Sequence, residues 1–278
     1  MLTYVEQLEI DLKQAFAESF QKKKQAGSGD RDEEGKEQED DLAQITGGKE
    51  AEVDQFKSML DDITENNLIQ EGLLGRFTPI LLAMAKEALK RYTTEESILR
   101  APHLCILERS AILALCKFMC VSQKICAENL DTLFALLKSN IEFGVKANII
   151  ITLADLFNRF PNLLNERVKD IFMLLHDKEV HVRQQGLMVI THLILNDMLK
   201  LKGEIVDICK LLEDPDDRIK EQVKLFLHEL HSKGGHIIYN LFPKAISRLS
   251  KEFSSLSKEE FENIANHLLT YIKLDTQS

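Results

Sequence analysis

Residues 142–158 read EFGVKANIIITLADLFN, residues 179–195 read EVHVRQQGLMVITHLIL and residues 216–232 read DDRIKEQVKLFLHELHS. Set one under another, they put Lys146, Arg183 and Lys220 in a single column, and Arg109 extends it upstream: 146−109, 183−146 and 220−183 are each 37. A fixed period of that length marks a chain built from stacked helical units. The apolar columns beside the basic one decide the matter. At three, six, seven and ten residues downstream stand Ile112, Ile149, Gly186 and Val223; Leu115, Thr152, Val189 and Phe226; Cys116, Leu153, Ile190 and Leu227; and Met119, Leu156, Leu193 and Leu230. Fourteen of these sixteen positions are apolar, where a composition of 44% apolar residues gives about seven. A shorter set repeats at the same shift, Val168, Ile171, Leu174 and Leu175 answering to Ile205, Ile208, Leu211 and Leu212. Each unit therefore carries two apolar stripes at helical spacing, and so two amphipathic helices. Six residues before each basic position stand His103, Asn140, Asp177 and Asp214. Three of these are short polar types that cap a helix or close a turn.

This is the pattern of a HEAT repeat. The fold class expected is all-α, a HEAT-repeat solenoid in which antiparallel helix pairs wind into a superhelix over residues 51–250. A solenoid escapes the usual estimate of domain number from length, because each repeat buries its apolar face only on its neighbours. Five Pro, twelve Gly and 29% charged residues in 278 suit a mostly helical chain. The formal net charge of −10 argues against a surface that clamps nucleic acid everywhere, although a local basic stripe remains compatible with it. No apolar run is long enough to cross a membrane, and MLTYVEQLEI has neither a basic flank nor a cleavage site, so neither a membrane span nor a secretory signal is expected. Cytosol or nucleus is the expected compartment. The odd count of five cysteines, Cys105, Cys116, Cys120, Cys126 and Cys209, without framework spacing, agrees with reducing conditions. Cys116 and Cys120 sit one helical turn apart, but they lack further metal ligands and are read as core.

Outward from the repeats, residues 1–26 form an amphipathic helical segment with Leu2, Val5, Leu8, Leu12, Phe16 and Phe20 largely on one face. Residues 27–50 lose almost all apolar content and read as a disordered acidic linker. Helical pattern returns over Glu52–Ile63 and from Leu73 to Lys90, where Pro79 fits a first turn. Lys233-Gly234-Gly235 breaks the third strong unit. Residues 251–278 begin a further repeat, opened by Ser257 with Glu260 three residues later, a capping-box signature, and the chain reads as a fragment of something longer.

Catalysis is not expected. His228-Glu229 is the single His-Glu pair of the kind that successive repeats contribute in HEAT-like di-iron hydroxylases, and one pair supplies too few ligands. His228 and His231 lack the spacing of a zinc-protease helix, and no phosphate-binding, nucleophile-elbow or dinucleotide motif is present. No cofactor, metal or small-molecule substrate is called for. A basic ridge is a separate matter: Arg218, Lys220, Lys224, Lys233, Lys244, Arg248 and Lys251 face Asp216, Asp217, Glu221 and Glu229, a local excess of three positive charges. Arg218, Lys220, Lys244 and Arg248 are the candidates for DNA-backbone contact.

Strings that no generic repeat demands carry a resemblance. THLILNDMLKLKG at Thr191–Gly203, LFLHEL at Leu225–Leu230 and IYNLFPKAISRLS at Ile238–Ser250 occur with LGRFTPI at Leu74–Ile80, ALCKFMCVS at Ala114–Ser122 and NRFPNLL at Asn158–Leu164. In this order they resemble the D2-type non-SMC subunits of condensin I, over roughly residues 72–250. The resemblance implies a non-catalytic scaffold in the complex that compacts mitotic chromosomes. Its partners would be the kleisin, the SMC subunits whose heads hold the ATPase, and DNA, and its location nucleus and chromosome with a cytoplasmic pool. The family's Lys-Gly loop falls on Lys202 and Gly203, which the resemblance assigns to SMC-head docking. A HEAT adaptor of transport-receptor or phosphatase-scaffold type is the alternative, and a HEAT-like metalloenzyme ranks below it.

Overall fold

A computed structural model describes residues 72–93, 102–200, 203–234, 236–251 and 256–275, with the single positions Gln7, Ile10, Ser58 and Ile69. The expected helix over residues 1–26, the acidic linker, the Glu52–Ile63 helix and Lys202 lie outside the described residues or largely so. Eleven α-helices are present among the described residues, and no strand: α1 Thr78–Thr93, α2 Pro102–Val121, α3 Gln123–Lys138, α4 Phe143–Arg159, α5 Pro161–Asn165, α6 Val168–Phe172, α7 Val180–Leu195, α8 Ile205–Lys210, α9 Asp217–Lys233, α10 His236–Leu249 and α11 Lys258–Asp275. They fall into two compact units, one ending at Ala88 and resuming over His103–Asn129, the other made of Leu89–Pro102 and Leu130–Ser278.

The first unit contains most of α1 and α2 and the start of α3. Pro79 occupies the first turn of α1, where its missing N–H costs nothing. Between α2 and α3 the chain turns at Ser122, whose Oγ accepts from the Ile125 amide at 3.1 Å, while the Asn129 side chain donates to the Ile125 carbonyl at 2.8 Å. Both polar groups are buried and both are satisfied. Cys116, Cys120 and Cys126 are buried too, and burial pushes the Cys126 thiol up to about 11. That is the core role expected of them.

In the second unit the first helices of the repeats, α4, α7 and α9, stack in sequence, with α7 packed between the other two. All sixteen column positions of the two units are buried, including Thr152, whose hydroxyl donates to the Asn148 carbonyl at 2.7 Å. Gly186 stands in an apolar column because of space. A Cβ there would lie 2.9 Å from Leu174 Cβ, so the backbone of α7 rests directly on the 3-10 turn that ends the second helix of the preceding repeat. Those second helices are shorter than the apolar spacing suggests. α6 gives way to a 3-10 turn over Met173–His176, and α8 to one over Leu211–Glu213. The tighter winding keeps Leu174, Leu175, Leu211 and Leu212 buried in both. At the far end, the Glu260 amide donates to Ser257 Oγ at 3.2 Å and the Ser257 amide to Glu260 Oε2 at 2.7 Å, which completes the reciprocal capping box of α11.

The basic column turns out to be half of a ladder. Lys146 Nζ meets Asp177 Oδ2 at 3.3 Å, and Arg183 meets Asp214 through two nearly parallel bonds, Nε to Oδ2 at 2.8 Å and Nη2 to Oδ1 at 2.9 Å. In both cases the base reaches the turn of the next repeat, since 177−146 and 214−183 are each 31. Arg183 Nη1 also donates to the carbonyls of Asp177 and Lys178 in its own turn, at 3.0 and 3.2 Å. The carboxylates hold their own turns as well, Asp177 accepting from the Glu179 amide and Asp214 from the Asp216 amide, each at 2.9 Å. Each rung therefore ties one inter-repeat turn to the next. Arg183 and Asp214 expose 11% and 4% of their side chains, whereas Lys146 and Asp177 expose 12% and 23%. Removing one partner of the more buried pair leaves a charge stranded. Asp214→Ala is expected to cost about 3–5 kcal/mol and Asp177→Ala, which loses an equivalent turn bond but a wetter ion pair, about 1–2 kcal/mol. Circular dichroism melts of the two variants test the order, and equal drops would show that the rungs do not carry the stack.

Candidate functional site

The connection that holds the Lys-Gly pair starts where α7 stops. Asn196 caps the helix, and Asp197 takes a left-handed conformation with φ 59°. The Asp197 amide donates to the Ile194 carbonyl at 3.1 Å and the Met198 amide to the Leu193 carbonyl at 2.9 Å, the bond pair of a Schellman motif. Lys233, at the end of α9, donates to the Leu195 carbonyl at 2.6 Å and to the Asp197 carboxylate, so the next repeat clamps this helix end. Beyond it Leu199 is buried and Lys200 exposed. The chain is described again from Gly203, in a turn that leads into α8.

The φ of Gly203 lies outside the left-handed range, so conformational freedom is not what the position needs. What it needs is room: a Cβ would stand 2.9 Å from Arg248 Nη1. The close approach is made by the chain's own guanidinium, which brings together a docking candidate and a DNA candidate that the sequence treats separately.

Arg248 projects from the last turn of α10 and its Nη2 lies 4.0 Å from Asp207 Oδ2. Asp207, in the first turn of α8, also has His176 Nε2 at 3.4 Å and Lys210 Nζ at 3.7 Å from its Oδ1. One carboxylate thus gathers three cationic or protonatable side chains from three elements. Burial works to raise the Asp207 carboxyl, but the hydrogen bond from His176 and the charges of Lys210, His176 and Arg248 outweigh it and hold the group below the ordinary carboxylate range. Cys209, two residues on and wholly buried, is pushed up to about 12 by burial, with Asp207 adding to the effect, and is therefore no nucleophile.

His176 belongs at the same time to a groove of about 570 Å³ on the turn side of the repeats, with Lys138, Lys146, Lys178 and Phe143 among its walls. Two of its lysines are already engaged, Lys146 in its rung and Lys138 with Asp170 Oδ1 at 2.7 Å. Lys178 is exposed.

The basic ridge is narrower than its count of charges implies. Lys220 turns to Asp217 at 3.1 Å, Lys224 to Glu221 at 2.7 Å, Lys233 to Asp197, and Arg248 lies by Asp207. Lys220 is half-buried, and its ion pair with the exposed Asp217 lies within its own first turn. Arg218 is exposed on α9 with its amide donated to the Asp216 carboxylate at 2.8 Å, and Lys244 is exposed on α10. Asp207, His176 and Lys210 escaped sequence reasoning. Only the i, i+3 spacing of Asp207 and Lys210 hints at the cluster, because the other members come from turns and helices far apart in sequence.

No group of three or more His, Cys, Asp or Glu residues among the described residues is arranged to hold a metal ion. His231 and His267 flank Tyr271, each with ring centroids 5.5 Å from it, and burial first, then the Lys224 charge, lowers the His267 imidazole from its ordinary value. These histidines pack between α9 and α11.

Residues 144–278 match the sequence profile of a family described as non-SMC mitotic condensation complex subunit 1. Condensin-1 complex subunit CAP-D2 of Arabidopsis thaliana is 41% identical over 171 residues, 62% of this chain and 12% of that protein. Condensin complex subunit 1 of Xenopus laevis is 38% identical over 205 residues, 74% of this chain and 14% of that protein. The chain thus spans less than a sixth of the length of these two curated relatives. Among solved structures, a computationally designed armadillo repeat protein is similar over 80% of this chain and 93% of that one, at 16% identity and a TM-score of 0.40.

The Asp207 cluster predicts a pH dependence. Its folded carboxyl lies below its unfolded value, so the stability it contributes is complete above the unfolded value of about 3.9 and fades as pH falls through the lower folded one. Asp207→Asn should lower the melting temperature at pH 7 and leave it closer to that of the parent near pH 2. Parallel melts from pH 7 to pH 2 check this, and a constant gap would deny Asp207 its linkage.

Proposed function

Because residues 144–278 match the family of non-SMC mitotic condensation complex subunit 1, we propose that the chain is a helical-repeat part of a condensin subunit that acts in chromosome condensation. It is a non-catalytic scaffold that bridges the kleisin, an SMC ATPase head and DNA, in the nucleus and on chromosomes with a cytoplasmic pool. The match of residues 144–278 to that family, with 38% identity to condensin complex subunit 1 of Xenopus laevis over 205 residues, carries this reading. The rungs tie the turns between these repeats into one frame. Loops on a rigid frame are where binding residues collect.

In this reading Lys202 and Gly203 meet the SMC head, and Arg218, Lys220, Lys244 and Arg248 touch DNA phosphates. The engaged state of Arg248 alters how the docking candidate is to be tested. Gly203→Val would displace the guanidinium from Asp207 and so disturb both candidate contacts at once. Lys202→Glu leaves that contact alone.

The test is capture of this chain by purified kleisin and SMC-head fragments, followed by duplex binding over a range of salt concentrations. Lys202→Glu should weaken head capture with an unchanged melt. Arg218→Glu with Lys244→Glu should spare head capture and reduce the steepness of log affinity against log salt by about two, near 0.9 for each phosphate that is no longer neutralised. Capture by neither fragment, or a salt slope that ignores both charge reversals, would reject the scaffold reading or its DNA arm respectively.

A further inference from the structure

Among the described residues of the second unit five large apolar side chains are exposed: Ile151, Met173, Met188, Leu225 and Tyr239. Three of them stand in one column of the repeat, since 188−151 and 225−188 are each 37. Single exposed apolar residues need no explanation. A register of one per repeat, on three first helices that stack in order, does.

Two more columns flank this one. Three residues earlier, just under one helical turn, stand Asn148, Gln185 and Gln222, a carboxamide on every repeat. None of these three side chains makes a hydrogen bond among the described residues, and Gln185 Oε1 is shielded from solvent without a partner. Four residues later stand Asp155, His192 and Glu229, all exposed. Neither Asp155 nor Glu229 has an ion-pair partner among the described residues. The residues three and four positions away from the stripe include no Lys or Arg. Although its side chain is exposed, partial desolvation at its base raises the Asp155 carboxyl from its ordinary value.

We propose that the stripe of Ile151, Met188 and Leu225 is a docking track for an extended segment of a partner protein that carries an apolar residue at every third position and Lys or Arg between them. Dimensions support a segment that crosses the helices. Packed helices lie about 8–10 Å apart, and a polyproline II strand advances about 9.3 Å in three residues, with every third side chain on one side. Such a strand has no internal hydrogen bonds, so its N–H and C=O groups are open to the carboxamides, each of which both donates and accepts. Its basic residues meet Asp155 and Glu229. The sign of that charge separates the track from the DNA candidates, since nucleic acid would be repelled there.

The track does not depend on the condensin reading, and its test uses neither kleisin nor SMC protein, so the two can fail separately. The probe is a fluorescein-labelled peptide of five Pro-Leu-Arg triplets, measured by anisotropy against the whole chain. Its controls are a peptide of the same composition in scrambled order and one with Glu in place of Arg. The triplet peptide should bind, and each control at least about tenfold more weakly, a factor of ten being one logarithmic step of the dissociation constant. The triple variant I151S/M188S/L225S, built at exposed positions, should melt like the parent and lose about tenfold in affinity with its salt dependence kept. N148A/Q185A/Q222A should weaken binding whichever apolar side chain the triplet carries, and D155N/E229Q should flatten the salt dependence. Absence of triplet binding, equal binding of the scrambled peptide, or an unaffected triple variant overturns the proposal. So does sedimentation that shows the parent self-associating through the stripe and the triple variant monomeric, which would make a second copy the occupant.

Discussion

The ion pair of Arg183 with Asp214 is the contact on which the second unit depends. It is doubly hydrogen-bonded, nearly dry, and reaches from one repeat to the next. Apolar burial alone brings helices together without fixing how far one slides along its neighbour. The planar guanidinium, bound at once to the carbonyls of its own turn and to the carboxylate of the following one, fixes that offset. The same geometry, in the wetter form of Lys146 with Asp177, sets the preceding step. Everything on the turn side of the unit inherits its position from these rungs, including His176 in the turn that Arg183 holds and the groove beside it.

With the turns fixed, the remaining chemistry becomes local. Asp207 draws in His176, Lys210 and Arg248. Arg248 fills the space left by the missing side chain of Gly203. The cluster thereby connects α10 to the turn before α8, and any partner that draws Arg248 away must compete with Asp207 for it. On another column of the same helices the exposed apolar residues obey the repeat as strictly as the buried ones, which sets them apart from incidental surface.

Much of this was legible in the sequence, and the boundary has a physical basis. The period and its columns fix which residues are buried because helical spacing is a local property, and Cys116, Leu153, Ile190 and Leu227 behaved alike for that reason. The capping box of Ser257 and Glu260, equally local, formed as written. The rungs were half visible: both columns were in plain view, but the acid column was read as turn-forming within its own repeat, when it also bonds across to the preceding one. Pairing between repeats depends on superhelical offset, which no window of sequence contains. Lys220 shows the same limit. It shares the column of Arg183, yet the position 31 residues after it is Lys251 in place of an acid, and it turns back to Asp217.

That substitution has a mechanical consequence. Wherever a rung is present, sliding one repeat along another stretches directional bonds from the first ångström. Among the described residues the column has no rung after α9, and α10 and α11 meet the rest of the unit through side chains such as Leu227, Ile238, Ala245 and Leu268, through Arg248 beside Asp207, and through the Tyr271 hydroxyl, which donates to the Lys224 carbonyl at 3.4 Å. Apolar surfaces resist separation but yield to shear, and the two polar links at this seam are longer than the rungs, so a pull along the stack is taken up there first.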